Sequence, residues 1–201
     1  FMFAPHFHRA TARVAHVRRQ LGLRTIFNLL GPLTNPARPK RQLIGVSDLP
    51  SMEKIGRALV HLGVEQAWVV HGSDGADEIT VSGPTHVLEV CEGRLRRFIL
   101  DPGEAGVAVR DLNGVCATSP EESATIVREV LVGDRRDAAR DLVLLNAAAG
   151  LRVSGRVGTL REGVELAAEA IATGAAWRKL EALIALTNAP PSADDAVERT
   201  R

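Results

Sequence analysis

Tyrosine is absent from the chain, and only 3% of its 201 residues are aromatic. A surface that binds nucleic acid by stacking needs aromatics interleaved with basic residues. Phe7 and Phe27 are the candidates within the basic N-terminal stretch and their flanks read as buried, so no nucleic-acid partner is expected. Two cysteines, Cys91 and Cys116, are too few for a disulfide framework and lack the CxxC or Cys/His spacing of a structural zinc. No apolar run approaches the ~18 residues of a membrane span. The first 47 residues, with several Arg and His plus Pro5 and Pro32, do not read as a signal peptide. The expectation is a cytoplasmic chain with no membrane contact. GxGxxG, P-loop and GxSxG sequences are all missing, which argues against a dinucleotide fold, a P-loop enzyme and an α/β-hydrolase. His8, His16, His61 and His71 show no HExxH or other metal spacing, so a histidine metal site is not expected.

Acidic residues are missing from one region only. The eight Lys and Arg before Asp48 (Arg9, Arg13, Arg18, Arg19, Arg24, Arg38, Lys40, Arg41) meet no carboxylate, and residues 48–201 then hold 17 basic and 24 acidic side chains. A +8 block joined to a −7 remainder marks a nucleic-acid site, a pocket for small anions, or a solvated face. With 45% hydrophobic and 24% charged residues, the rest is the composition of one ordinary globular domain. Phe1, in place of an initiating Met, leads to the expectation of a processed chain or a piece of a longer one.

Ala10, Val14, Val17 and Leu21 recur at helical spacing and Gly22 stands at a C-terminal stop, predicting a helix over 8–21. At about 100° per residue, Arg19 projects away from the apolar stripe while Arg18 lies at its edge. A half-buried guanidinium without an anionic partner costs several kcal/mol. No acid is nearby in sequence, so a ligand is a candidate partner for Arg18. Over 25–39, Gly31, Pro32, Asn35, Pro36 and Pro39 interrupt any regular element, yet Ile26, Phe27, Leu29, Leu30 and Leu33 carry too much apolar mass for a linker; an ordered loop is predicted.

Leu43–Ser47 and Ala67–His71 read as strands flanking a helix whose face is Met52, Ile55, Leu59 and Leu62, a unit that implies a parallel pair with a right-handed crossover. Residues 79–100, cut by Gly83-Pro84 and Glu92-Gly93, read as shorter strands with some antiparallel pairing. Capping signals at Ser119 to Glu122 and at Thr159 with Glu162 open two later helices, ended by Gly133 and Gly174. Ala138, Leu142, Leu145 and Ala149 mark another helix, and Trp177, Leu180 and Ile184 a last one. The expected class is α/β, a mostly parallel sheet with helices on both faces and some antiparallel strands, over 1–187. Residues 188–201 read as a disordered tail.

Asp74, Asp77 and Glu78 lie in a glycine-bearing turn after the buried strand AWVVH. Adjacent carboxylates there can hold Mg²⁺, which takes one or two carboxylates with phosphate oxygens and water; the alternative is an ordinary polar turn.

Three segments in order, APHFHRATARVAHVRRQLGLRTIFNLLGPLTNPARP (4–39), VVHGSDGADE (69–78) and LVLLNAAAGL (142–151), resemble the anthranilate phosphoribosyltransferases, of glycosyltransferase family 3 in the nucleoside phosphorylase superfamily. The resemblance implies transfer of a phosphoribosyl group from phosphoribosyl pyrophosphate (PRPP) to the amine of anthranilate, with Mg²⁺, in tryptophan biosynthesis. It implies that Arg18 and His8 line the anthranilate site, that Pro32 belongs to the loop walling the substrate channel, and that Asp77 and Glu78 hold Mg²⁺ against pyrophosphate; no catalytic acid or base is implied. Arg9 and Ala12 depart from the family pattern, which has Pro and a basic residue there. The family's small helical dimerisation domain and glycine-rich pyrophosphate loop precede the segment matched here, so the resemblance implies a homodimer for the full-length protein only and an inactive isolated fragment. Two further readings stay open: a pyrimidine nucleoside phosphorylase relative, and a non-catalytic aromatic-acid binding module.

Overall fold

The structure is a computed structural model that describes residues 16, 20, 27–112 and 115–189. His16 and Gln20 are helical, in keeping with a helix over 8–21, whose other residues lie outside the described ones; of the tail expected over 188–201, Asn188 still belongs to the last described helix and residues from 190 onward lie outside the described ones.

Among the described residues four strands form one sheet in the order β1 (Arg41–Gly45), β2 (Gln66–Gly72), β3 (Thr85–Cys91) and β4 (Arg94–Leu100). β1 and β2 are parallel, as predicted, with Ile44 opposite Val69. The β2–β3 and β3–β4 pairs are antiparallel. The antiparallel share of the described sheet is thus larger than expected, because the stretch read as short strands is one regular hairpin. Glu92 and Gly93, both at positive φ, make its two-residue turn.

Alternation along β2 sorts the core into two halves. Ala67 and Val69 join Met52, Ile55, Leu59, Leu88 and Val90 beneath α2 (Leu49–His61). Trp68 and Val70 face the other way, onto Ala138, Leu145, Ala149 and Val153 of α4 (Ala138–Ser154). A strand buried on both faces reads as a continuous apolar run, and AWVV is one. Helices therefore cover both faces of the sheet, as expected.

One segment departs from its sequence reading. The predicted loop over 25–39 contains a helix, α1 (Phe27–Leu33), with Pro32 inside it. Leu29 and Leu33, four residues apart, pack together against the α2 half of the core. The partial burial of these two leucines favours the helix against the local cost of Gly31 and Pro32. The helix ends directly after Pro32, where Thr34 donates from both its N–H and its hydroxyl to the Leu30 carbonyl, at 3.0 and 2.9 Å.

Ser119 and Thr159 cap their helices as the sequence signals indicate, whereas the cap of α2 is a residue the sequence reading did not name. α2 starts at Asp48, whose carboxylate accepts from the Ser51 N–H at 2.7 Å. α3 (Pro120–Val132) is capped by Ser119, and α5 (Leu160–Ala172) by the reciprocal Thr159–Glu162 box. α6 (Ala175–Asn188) follows Gly174. Among the described residues no helix is long and apolar enough to cross a membrane.

Candidate functional site

β1 and β2 run parallel, so their C-terminal ends open on the same edge of the sheet, the edge at which open α/β sheets bind ligands. β1 ends at Gly45 and β2 at Gly72. The acidic turn, residues 73–78, leaves β2 at that edge.

The turn is held from both ends. Asp74 accepts from the Thr80 hydroxyl at 2.5 Å, the Ser82 hydroxyl at 2.6 Å and the Ala76 N–H at 3.1 Å. Partial burial works against its charge, but the donors from Ser82, Thr80 and Ala76 outweigh this and hold the Asp74 carboxyl below the usual range. Asp74 is therefore occupied in building the turn. Gly72 donates to the Ala76 carbonyl at 2.8 Å, closing the loop over Gly75, whose φ of 91° suits glycine.

Asp77 and Glu78 are different. Both are exposed, and neither carboxylate has a hydrogen-bond or ion-pair partner among the described residues. The Glu78 carboxyl is pushed above its usual range, first by partial desolvation and then by the charges of Asp77 and Asp74. Negative charge is concentrated here, and among the described residues no cation pairs with it. No group of three or more His, Cys, Asp or Glu side chains that could hold a metal occurs among the described residues. These residues build no zinc or calcium cage. A hard cation satisfied by two carboxylates, with water and phosphate oxygens completing its shell, fits the pair.

Of the sequence-predicted site residues, the structure brings Pro32 and Asp77 together. They line one cleft of about 260 Å³ with Leu29, Gly45, Val46, Ser47 and Ile55. Glu78 adjoins it in sequence. Pro32 also lines a larger neighbouring cleft with Arg38, Lys40 and Gln42. Arg18 and His8 lie outside the described residues, as do Arg9 and Ala12.

Three residues not singled out from sequence shape this edge. A methyl group added to Gly45 would stand 1.5 Å from the Asp77 carbonyl oxygen, so only glycine lets the turn lie against the end of β1. An isolated glycine in a strand signals such an approach. His71 Nδ1 lies 2.9 Å from the Val46 carbonyl; a carbonyl can only accept, so the proton is on Nδ1. This bond ties the ends of β1 and β2 together beyond the ladder. Asn146, the lone amide in the apolar run LVLLNAAAGL, reaches from α4 to the backbone of Ile79.

Residues 1–177 match the glycosyl transferase family, a/b domain, and the chain belongs to that family. Among curated relatives it is 48% identical over 188 residues to the anthranilate phosphoribosyltransferase of Aquifex aeolicus, covering 94% of this chain and 55% of that one. It is likewise 48% identical to the enzyme of that name from Parvibaculum lavamentivorans, with the same coverage. Among solved structures, the anthranilate phosphoribosyltransferase of Thermus thermophilus superposes with a TM-score of 0.83 at 40% identity, over 94% of this chain and 56% of that one. The Saccharomyces cerevisiae enzyme in complex with PRPP and Mg gives 0.79 at 30%, over 87% and 50%. The chain spans about half the length of the relatives it matches.

Proposed function

We propose that this chain is the metal- and substrate-holding part of a phosphoribosyltransferase that joins the phosphoribosyl group of PRPP to the amine of anthranilate. The observation that carries this reading is the unpaired Asp77–Glu78 carboxylate pair at the ligand-binding edge of the sheet, in a chain nearly half identical to enzymes of that name. The Saccharomyces cerevisiae enzyme is solved in complex with PRPP and Mg and, separately, with 4-fluoroanthranilate.

The chemistry asks little of acids and bases. An aniline-type amine is neutral at pH 7, so the nucleophile needs no activation, and rate comes from holding it near the ribose C1 carbon and from stabilising the departing charge. Mg²⁺, when bound, supplies positive charge to the pyrophosphate that leaves. Asp77 and Glu78 would be its protein ligands, and Pro32 a wall of the channel. Arg18 is assigned the anthranilate carboxylate, with His8 beside it, on sequence alone. No general base is assigned.

Calorimetric titration of the chain with PRPP should show binding that depends on Mg²⁺, and Asp77→Asn with Glu78→Gln should weaken it at least tenfold. Binding indifferent to both Mg²⁺ and the double substitution would remove the metal assignment. In the full-length protein, Arg18→Ala should raise the anthranilate requirement far more than that for PRPP, and equal effects on the two would refute its role. If the full-length protein turns over thymidine with phosphate and not anthranilate with PRPP, the substrate class is wrong.

A further inference from the structure

Ile79 directly follows the acidic pair and belongs to no strand, so its peptide groups have no ladder partners. Its side chain is fully buried, and buried backbone groups need partners. Asn146 supplies both. Its Nδ2 donates to the Ile79 carbonyl at 2.8 Å, and its Oδ1 accepts from the Ile79 N–H at 3.0 Å. A side-chain amide offers a donor and an acceptor in one plane, and the partners fix which end of the amide is which. A second donation from Nδ2, to the Leu142 carbonyl at 3.0 Å, orients Asn146 on its own helix. Leu145 and Ala149 beside it are fully buried, which holds that stretch of α4 in the core.

The turn is thus fixed at three points. Asp74 grips Thr80 and Ser82, Gly45 forms the floor under Asp77, and Asn146 clamps the first residue past Glu78. Asp77 and Glu78, both exposed, are left without a hydrogen-bond or ion-pair partner among the described residues.

We propose that Asn146 is a positioning residue for the Asp77–Glu78 pair: by holding both peptide groups of Ile79 against α4, it sets the direction in which the two preceding carboxylates meet a divalent cation. This rests on reading Asp77 and Glu78 as the metal ligands. The anchor is 67 residues from its target in sequence, and it acts through backbone rather than by touching cation or substrate.

The test is Mn²⁺ binding to the 201-residue chain in the presence of inorganic pyrophosphate, followed by the loss of the free-ion paramagnetic signal well below the unfolding temperature. Mn²⁺ suits the same carboxylate and water ligands. Asn146→Ala should weaken binding about tenfold or more, the size typical of losing an outer support of a metal ligand. It should also speed hydrogen exchange at the Ile79 amide. Asn146→Ser, which keeps one hydrogen-bonding group, should fall between alanine and wild type. Val153→Ala, a core truncation on the same helix, should lower the melting temperature while leaving Mn²⁺ affinity unchanged. If Asn146→Ala melts earlier but binds Mn²⁺ within twofold of wild type, Asn146 is merely structural and the proposal is overturned. Should the alanine variant not fold, wild-type affinity in the serine variant overturns it equally. A wild-type chain binding no more tightly than Asp77→Asn with Glu78→Gln is a different failure: the metal reading falls, and the proposal with it.

Discussion

At Gly45 a single hydrogen atom decides whether the acidic turn fits against the sheet. Its φ is not among the positive ones, so alanine would be conformationally acceptable and, by restricting the unfolded chain, would stabilise by about 0.4–1 kcal/mol in open space. The space is not open. The obstruction is the Asp77 carbonyl at 1.5 Å, and a backbone atom cannot swing aside as a side-chain end can. Overpacking costs about 1–3 kcal/mol, so Gly45→Ala should lower stability in urea unfolding and also weaken Mg²⁺-dependent PRPP binding. A variant as stable as wild type would mean that the turn does not rest on β1 as described.

Among the elements, the α4–α5 contact depends on another glycine. A methyl group on Gly163 would lie 2.8 Å from both Cα and Cβ of Ala148 and 3.0 Å from its carbonyl oxygen. Helix propensity favours alanine over glycine by about 1 kcal/mol, and overpacking between two helices opposes it by about 1–3 kcal/mol. Gly163→Ala should therefore melt earlier than wild type; a rise in melting temperature would show that the helices separate without cost. The start of α4 depends on Asp137, which accepts from the Ala139 and Arg140 N–H groups and from Arg135 Nε at 2.8 Å. The Arg135 hydrogen bond, more than any other influence, holds its carboxyl below the usual range. A depressed carboxyl stabilises the fold above its unfolded pKa, and that contribution fades as pH falls from there through the still lower folded value. Asp137→Ala should cost about 1–2 kcal/mol at pH 7, as lost caps do, and the difference from wild type should shrink in acid. A difference constant from neutral pH to pH 2 would show that the charged carboxylate is not what caps the helix.

For the whole molecule, ligand binding and folding are linked, because only the folded chain brings the cleft beside Pro32 together with the acidic turn. A ligand at a hundred times its dissociation constant stabilises the fold by about 2.7 kcal/mol. PRPP with Mg²⁺ should accordingly raise the melting temperature of the wild-type chain in scanning calorimetry, and removal of Mg²⁺ by chelation should abolish most of the rise. The same rise in the chain carrying Asp77→Asn with Glu78→Gln would place the ligand elsewhere.

Much of this was legible locally. Capping residues act over three positions, and Ser119, Thr159 and Glu162 mark their helices in the sequence as they do in the structure. Strand β2 announces itself as an apolar run, and the acidic turn follows from its place behind that run. The family, too, is written in the three segments that resemble it. Tertiary structure decided the rest. It made a helix of the Gly- and Pro-bearing stretch at 27–33, since the burial of Leu29 and Leu33 is absent from any local rule. It made one hairpin of what read as several short strands. It set Gly45 under Asp77 and Asn146 against Ile79, pairs far apart along the chain. Such pairs leave little trace in periodicity, because what selects them is the space and the unpaired peptide groups that remain once the sheet and α4 have packed.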